Sequence, residues 1–178
     1  MDLLCDAPTT VVLTPDTANE QACLPDPASL RDSLLLADRG YIDLHYMSRV
    51  QDAGGFFLIR AKAGMNPQVV EAFREDGKRL RSLRNKPLQA IHTKLPKRQR
   101  VELGVQWQVD GHPLCLRLVV SWNPRTKSFC YFLGSRLRRD SWVSVRYAEG
   151  LNSGKSSVTL QRTDRHGILV RQVALKRK

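Results

Sequence analysis

Between positions 101 and 122 apolar and polar residues alternate with hardly a break, and that period confines the segment to one kind of structure. Val101, Leu103, Val105, Trp107 and Val109 alternate with Glu102, Gly104, Gln106 and Gln108. Successive side chains of a strand point to opposite faces, so the pattern predicts a strand with one buried and one wetted face. Asp110-Gly111 supplies two residues that tolerate positive φ in a tight hairpin turn, and His112-Pro113 follows. Leu114, Leu116, Leu118, Val120 and Trp122 resume the alternation on a returning strand. Asn123-Pro124-Arg125 then turns the chain into residues 128–133, which predicts a three-stranded antiparallel meander.

The N-terminal part follows other periods. Residues 9–13 are rich in β-branched side chains and close on Thr14-Pro15-Asp16, a strand entering a turn. Pro25 and Pro27 precede a short helical stretch at 28–31. Leu34-Leu35-Leu36-Ala37 is a continuous apolar run, as expected of a strand covered on both faces in a parallel or mixed sheet. It runs out into Asp38-Arg39-Gly40-Tyr41. From there Ile42, Tyr46, Val50 and Ala53 recur at helical spacing, with Gly54-Gly55 as the stop. Residues 56–59 form a second buried strand leading into Arg60-Ala61-Lys62. Strand, turn, helix and strand make a βαβ unit, so the fold class is α/β.

Past Asn66-Pro67, residues 68–73 predict a brief helix and residues 78–100 a basic, exposed connection with few apolar anchors. Beyond Gly134 the pattern weakens. Residues 142–145 and 168–170 suggest short strands, residues 152–157 are rich in Gly and Ser, and Lys176-Arg177-Lys178 ends the sequence. A poorly ordered basic tail is expected over 134–178.

With 178 residues and 42% hydrophobic content the chain can bury a core. No run reaches the roughly 18 apolar residues of a membrane span, and Asp2 and Asp6 stand where a secretion signal carries positive charge. An unsecreted protein with no membrane partner is expected. Cys5, Cys23, Cys115 and Cys130 form no C-x-x-C pair, and no histidine sits at metal-ligand spacing with them, which argues against a zinc site or a disulfide framework. The net charge is +12, but residues 1–38 hold one arginine against seven carboxylates, so the chain from Arg39 onward carries +18. Such a surface attracts polyanions through counterion release, although solvated loops alone account for an excess of Lys and Arg as well.

Open α/β sheets place working residues at the carboxyl ends of their strands, where Asp38 stands. A turn or helix-capping aspartate beside Gly40 is the competing role.

Residues 34–41, from Leu34 to the Asp38-Arg39-Gly40-Tyr41 block, are followed by a helix, by Gly54-Gly55-Phe56-Phe57-Leu58-Ile59-Arg60-Ala61-Lys62 and by Asn66-Pro67. This arrangement resembles the region of the second catalytic aspartate in insertion-sequence-four-like DDE transposases, and residues 13–20 resemble the segment before it. The likeness covers about residues 1–133. It implies a partial ribonuclease-H-like core at 1–66, a β-rich insertion at 67–127, a return strand at 128–133 and the atypical tail at 134–178. It also implies in-line attack on DNA phosphodiesters with two magnesium ions, which need several carboxylate oxygens between them. By the same resemblance Asp38 is a catalytic metal ligand. Arg39, Arg60 and Lys62, with Lys94, Lys97, Arg98 and Arg100 of the basic connection, are expected to contact DNA phosphates. The implied partners are transposon ends, with family members dimerising on DNA in the bacterial cytoplasm, at the nucleoid.

The sequence departs from the family at both ends. The first catalytic aspartate belongs to a strand preceding the one matched by residues 9–13, so Met1 reads as an internal methionine of a longer parent. The final glutamate belongs to a helical Tyr-x2-Arg-x3-Glu-x6-Lys signature. Aligned on Glu149, that signature meets Trp142, Val145 and Ser156 in place of Tyr, Arg and Lys. Two explanations remain open, a shifted reading frame after about residue 134 and a native but divergent tail. On either, a transposase fragment inactive alone is expected; the other function class is a non-catalytic basic nucleic-acid-binding protein. A nuclease with its own complete site would need further acids near Asp38. Asp16 and Asp43 are close in sequence, but Asp43 is placed to start the helix.

Overall fold

The alternating segment folds as β5 (Val101–Val109) and β6 (His112–Asn123), joined by the Asp110-Gly111 turn and followed by β7 (Ser128–Ser135). Asp110 and Gly111 take φ of 51° and 77°, the two positive values a tight turn of this type requires. The computed structural model describes residues 24–37, 39–62 and 64–135, together with the strands β8 (Ser144–Tyr147), β9 (Val158–Gln161) and β10 (Leu169–Gln172). The expected strand at 9–13 lies outside the described residues.

The βαβ unit is present. β1 (Ser33–Ala37) is followed by a 3-10 turn at Arg39–Tyr41, then by α1 (Leu44–Asp52) and β2 (Phe56–Ala61). The Asp43 carboxylate accepts from the backbone N–H groups of His45 and Tyr46 at 2.9 and 3.1 Å, so Asp43 caps α1 as its position suggested. α1 buries Tyr46, Met47 and Val50, the first and last of which carry the helical period in the sequence. At its far end Gly55 passes so close to the preceding segment that a Cβ there would lie 2.7 Å from the Leu30 carbonyl oxygen.

The described residues also form β3 (Gln68–Arg74), β4 (Lys86–Pro87), the single-turn α2 (Leu88–Ile91) and short 3-10 turns at Pro27–Leu30, Arg81–Leu83 and His92–Lys94. The chain is therefore mixed α/β, with one eight-stranded sheet in the order β10-β1-β2-β7-β6-β5-β3-β4 and a separate β8-β9 pair. β1 runs parallel to both β2 and β10, whereas the pairs from β2-β7 to β3-β4 are antiparallel. One face of this sheet holds the core, in which Leu35, Phe57, Ile59, Leu133, Leu118 and Leu103 pack with α1.

Two expectations for the middle of the chain are corrected. Residues 68–73 form a strand, not a helix. A register shift between Val69 and Glu71 leaves the buried Val69 and Ala72 three apart, which imitates helical spacing where period two was due. Residues 78–100 are not a loose connection either, because Leu83, Leu88, Ile91 and Leu95 are each at most 5% exposed and pin the segment to the core. Of the tail, β8 and β10 fall near the two short strands suggested by the sequence, and β9 does not. β10 adds to the main sheet, with Leu34 opposite Val170.

Candidate functional site

Parallel pairing brings the carboxyl ends of β1 and β2 to one rim of the sheet. Ala37, the last residue of β1, is opposite Ile59, and β2 continues through Arg60 to Ala61. Asp38 itself lies outside the described residues, as do Asp16 and Glu149. Immediately beyond it, Arg39 is exposed and Tyr41 is buried, which anchors the turn leading to α1. Arg60 and Lys62 are both exposed, and Arg60 is paired in register with Phe132 of β7.

The same register extends the rim across the sheet. Ala61 is opposite Tyr131, Tyr131 opposite Val120, Val120 opposite Val101, and Val101 opposite Arg74. At this end the rings of Trp122 and Phe129 meet edge to face at 4.9 Å, and His92 meets Phe129 in the same way at 5.2 Å. The Lys97 ammonium lies 4.5 Å from the centroid of the Trp122 ring, a cation–π contact that fixes the lysine on the rim. Lys94 ends the 3-10 turn that begins at His92, and Arg98 follows Lys97; both are exposed. Arg100 enters β5 and binds Glu75 at 2.6 Å, with both side chains about half exposed, so its charge is partly answered within the protein.

Lys94, Lys97, Arg98 and Arg100 thus stand on a segment that meets this end of the sheet through Trp122 and Glu75, whereas Arg60, exposed between the buried Ile59 and Ala61, lies on the other face of the sheet. Cations held around such a rim suit a phosphate backbone, because they position a polyanion without reading bases. The ring cluster of His92, Trp122, Phe129 and Tyr131 was not singled out by the sequence. Trp122 and Phe129 counted there only as beats in a strand pattern, and nothing in the sequence marks His92 as their neighbour. The Tyr131 hydroxyl is buried and has no hydrogen-bond partner among the described residues; burial pushes its pKa up, and the neighbouring Cys130 adds to the shift. It is a protonated donor at neutral pH. Among the described residues no group of three or more His, Cys, Asp or Glu side chains is placed to hold a metal ion, and no helix is long and apolar enough to cross a membrane.

No curated protein and no solved structure matches the chain. The family model described as the transposase DDE domain matches residues 2–147, a span that takes in β1, α1, β2, the meander and the basic segment. With most of its length matched by that model, the chain belongs to the transposase DDE domain family.

Proposed function

We propose that the chain engages DNA, transposon ends in particular, along the carboxyl rim of β1 and β2, and that Asp38 is the second of the family's catalytic carboxylates. The observation that supports this reading is the register of Ala37 with Ile59, which brings the carboxyl end of β1 beside the stretch of β2 that leads into the exposed Arg60 and Lys62. β1, α1 and β2 supply the parallel part of a ribonuclease-H-like core, and the antiparallel β3, β5 and β6 form the insertion. β7 returns the chain to β2. The joint occurrence in the sequence of the D-R-G-Y block and its G-G-x-F-x-x-R-x-K partner supports placement among insertion-sequence-four-like members.

The family generally uses a divalent metal. The described residues do not fit a magnesium site, since no carboxylate cluster stands among them. What the chain's own residues do is hold the backbone. Arg60 and Lys62 follow the stretch of β2 that pairs with the end of β1, and Lys94, Lys97 and Arg98 extend the contact across the β6-β7 end.

Duplex binding measured against salt tests this reading. Affinity is expected to fall steeply as salt rises, because each neutralised phosphate releases about 0.9 counterion. A flat response removes the DNA contact. Incubation of the chain with supercoiled DNA and magnesium is expected to give no nicking. Nicking that disappears in Asp38→Asn would show a complete catalytic site and overturn the inactive reading while keeping Asp38 in its role.

A further inference from the structure

Residues 74–100 form a belt whose charge sets it apart from everything around it. The belt holds ten Lys and Arg against two carboxylates, a net +8, while the rest of residues 24–135 holds eight of each. All of the net charge in this part of the chain therefore lies on the belt. Its second half lies at the rim described above, whereas its first half starts at the rim and runs away from it.

The first half runs along the outer side of β3. Arg79 bridges Phe73, the Leu80 N–H donates to the Ala72 carbonyl at 2.8 Å, and the Asn85 N–H donates to the Val69 carbonyl at 2.7 Å. Residues 78–86 are thereby pinned beside β3 from its rim end to its far end. Lys78, Arg79, Arg81 and Arg84 are exposed and Lys86 is half-buried. The Arg79 guanidinium lies 5.6 Å from the Phe73 ring centroid, and the Lys86 ammonium donates to the Ser82 carbonyl at 2.8 Å. Among the described residues no carboxylate pairs with any of the five.

We propose that this sheet edge is a second DNA contact, holding the backbone of a duplex beyond the footprint of the rim. Phe73 to Val69 spans about 13 Å at about 3.3 Å per residue, the axial rise of about four base pairs of duplex at about 3.4 Å each. Five cations on a fixed strip of that length suit a regularly charged polymer. Arginine, three of the five, can meet phosphate oxygens in a bidentate way. The belt joins strip and rim covalently, so one duplex can meet both. The inference rests on the DNA reading above for its ligand, but not on any activity of Asp38.

The test uses the full chain without divalent metal and duplexes of about 30 and about 12 base pairs, with anisotropy followed against salt. The edge variant Arg79→Gln/Arg81→Gln/Arg84→Gln should lower the slope of log K against log salt by about 3 on the long duplex and by little on the short one. The rim variant Lys94→Gln/Lys97→Gln/Arg98→Gln should lower it on both. Matching circular dichroism and melting curves for each variant keep folding out of the comparison. An unchanged slope on the long duplex in the edge variant overturns the proposal, and if that variant also aggregates, the charges serve to protect the β3 edge from strand pairing. Edge-dependent binding of polyglutamate as tight as that of DNA overturns the choice of ligand. Loss of binding in the edge variant alone, with the rim variant unaffected, supports this site and overturns the rim reading.

Discussion

The Tyr46 hydroxyl donates a 2.7 Å hydrogen bond to the Pro25 carbonyl, tying the segment that leads into β1 to the helix that leaves it. Burial pushes the Tyr46 pKa up to about 12, against the lowering effect of Arg49 and with a small raising effect from Asp26. The folded chain therefore keeps a proton that the unfolded chain loses near pH 10. The contribution is intact below that pH and is lost as pH rises toward 12. Thermal melts should show a fall in Tm over this interval. Tyr46→Phe should remove that component and cost about 1 kcal/mol at neutral pH from the lost hydrogen bond. An equally steep alkaline fall in the variant would assign the effect elsewhere.

What the sequence could disclose depended on whether burial followed a regular period. Leu34 to Ala37, the Ile42-Tyr46-Val50 spacing and the alternation on β5 and β6 are local patterns with one interpretation each, and all three formed as expected. β3 was hidden because its bulge breaks the period at Val70. The anchors of the basic belt were hidden because Leu83, Leu88, Ile91 and Leu95 are single side chains scattered among cations. At the rim, the ends of β1 and β2 were legible one by one, but the register that sets Ala37 opposite Ile59 is a property of parallel pairing between the strands. The aromatic cluster depends on contacts between residues 92, 122, 129 and 131, which no local period encodes.

The β5-β6 turn reaches α1, where His45 Nδ1 lies 3.0 Å from Asp110 Oδ2. Both side chains are largely exposed, at 63% and 75%, so the contact adds little stability. The backbone of Asp110 matters more, because its φ of 51° disfavours side chains that cannot settle in the left-handed region. Asp110→Asn should lose less than about 1 kcal/mol, whereas Asp110→Val should lose about 1–2 kcal/mol more through the strained turn. Urea unfolding distinguishes them, and equal losses in the two variants would refute the backbone explanation.

Close packing at Gly55 gives a test of how α1 is seated. A Cβ there would lie 2.7 Å from the Leu30 carbonyl oxygen and 3.0 Å from Val50 Cγ1, and neither atom is the free end of a flexible chain. Gly55→Ala should destabilise the chain by about 1–3 kcal/mol as the segment at Leu30 and the end of α1 are forced away from position 55. Gly64, which has open space around its missing Cβ, is the control. Gly64→Ala should leave Tm nearly unchanged, and a comparable drop in both would mean that the contact at Leu30 is not what limits position 55.

Lys97 offers the most direct link between packing and binding, because its ammonium group rests over Trp122 while its surroundings face the rim. The contact is worth about 0.5–1 kcal/mol at an exposed site, too little to hold the fold but enough to fix where the charge stands. Lys97→Gln should therefore lower stability by less than about 1 kcal/mol while reducing the salt slope of DNA binding by about 0.9, the effect of one phosphate. Lys97→Arg preserves both the charge and the ring contact and should restore the slope. If Lys97→Gln leaves the slope unchanged but shifts the tryptophan emission, the lysine serves only to cover the Trp122 ring, and the cationic rim ends at Lys94 and Arg98.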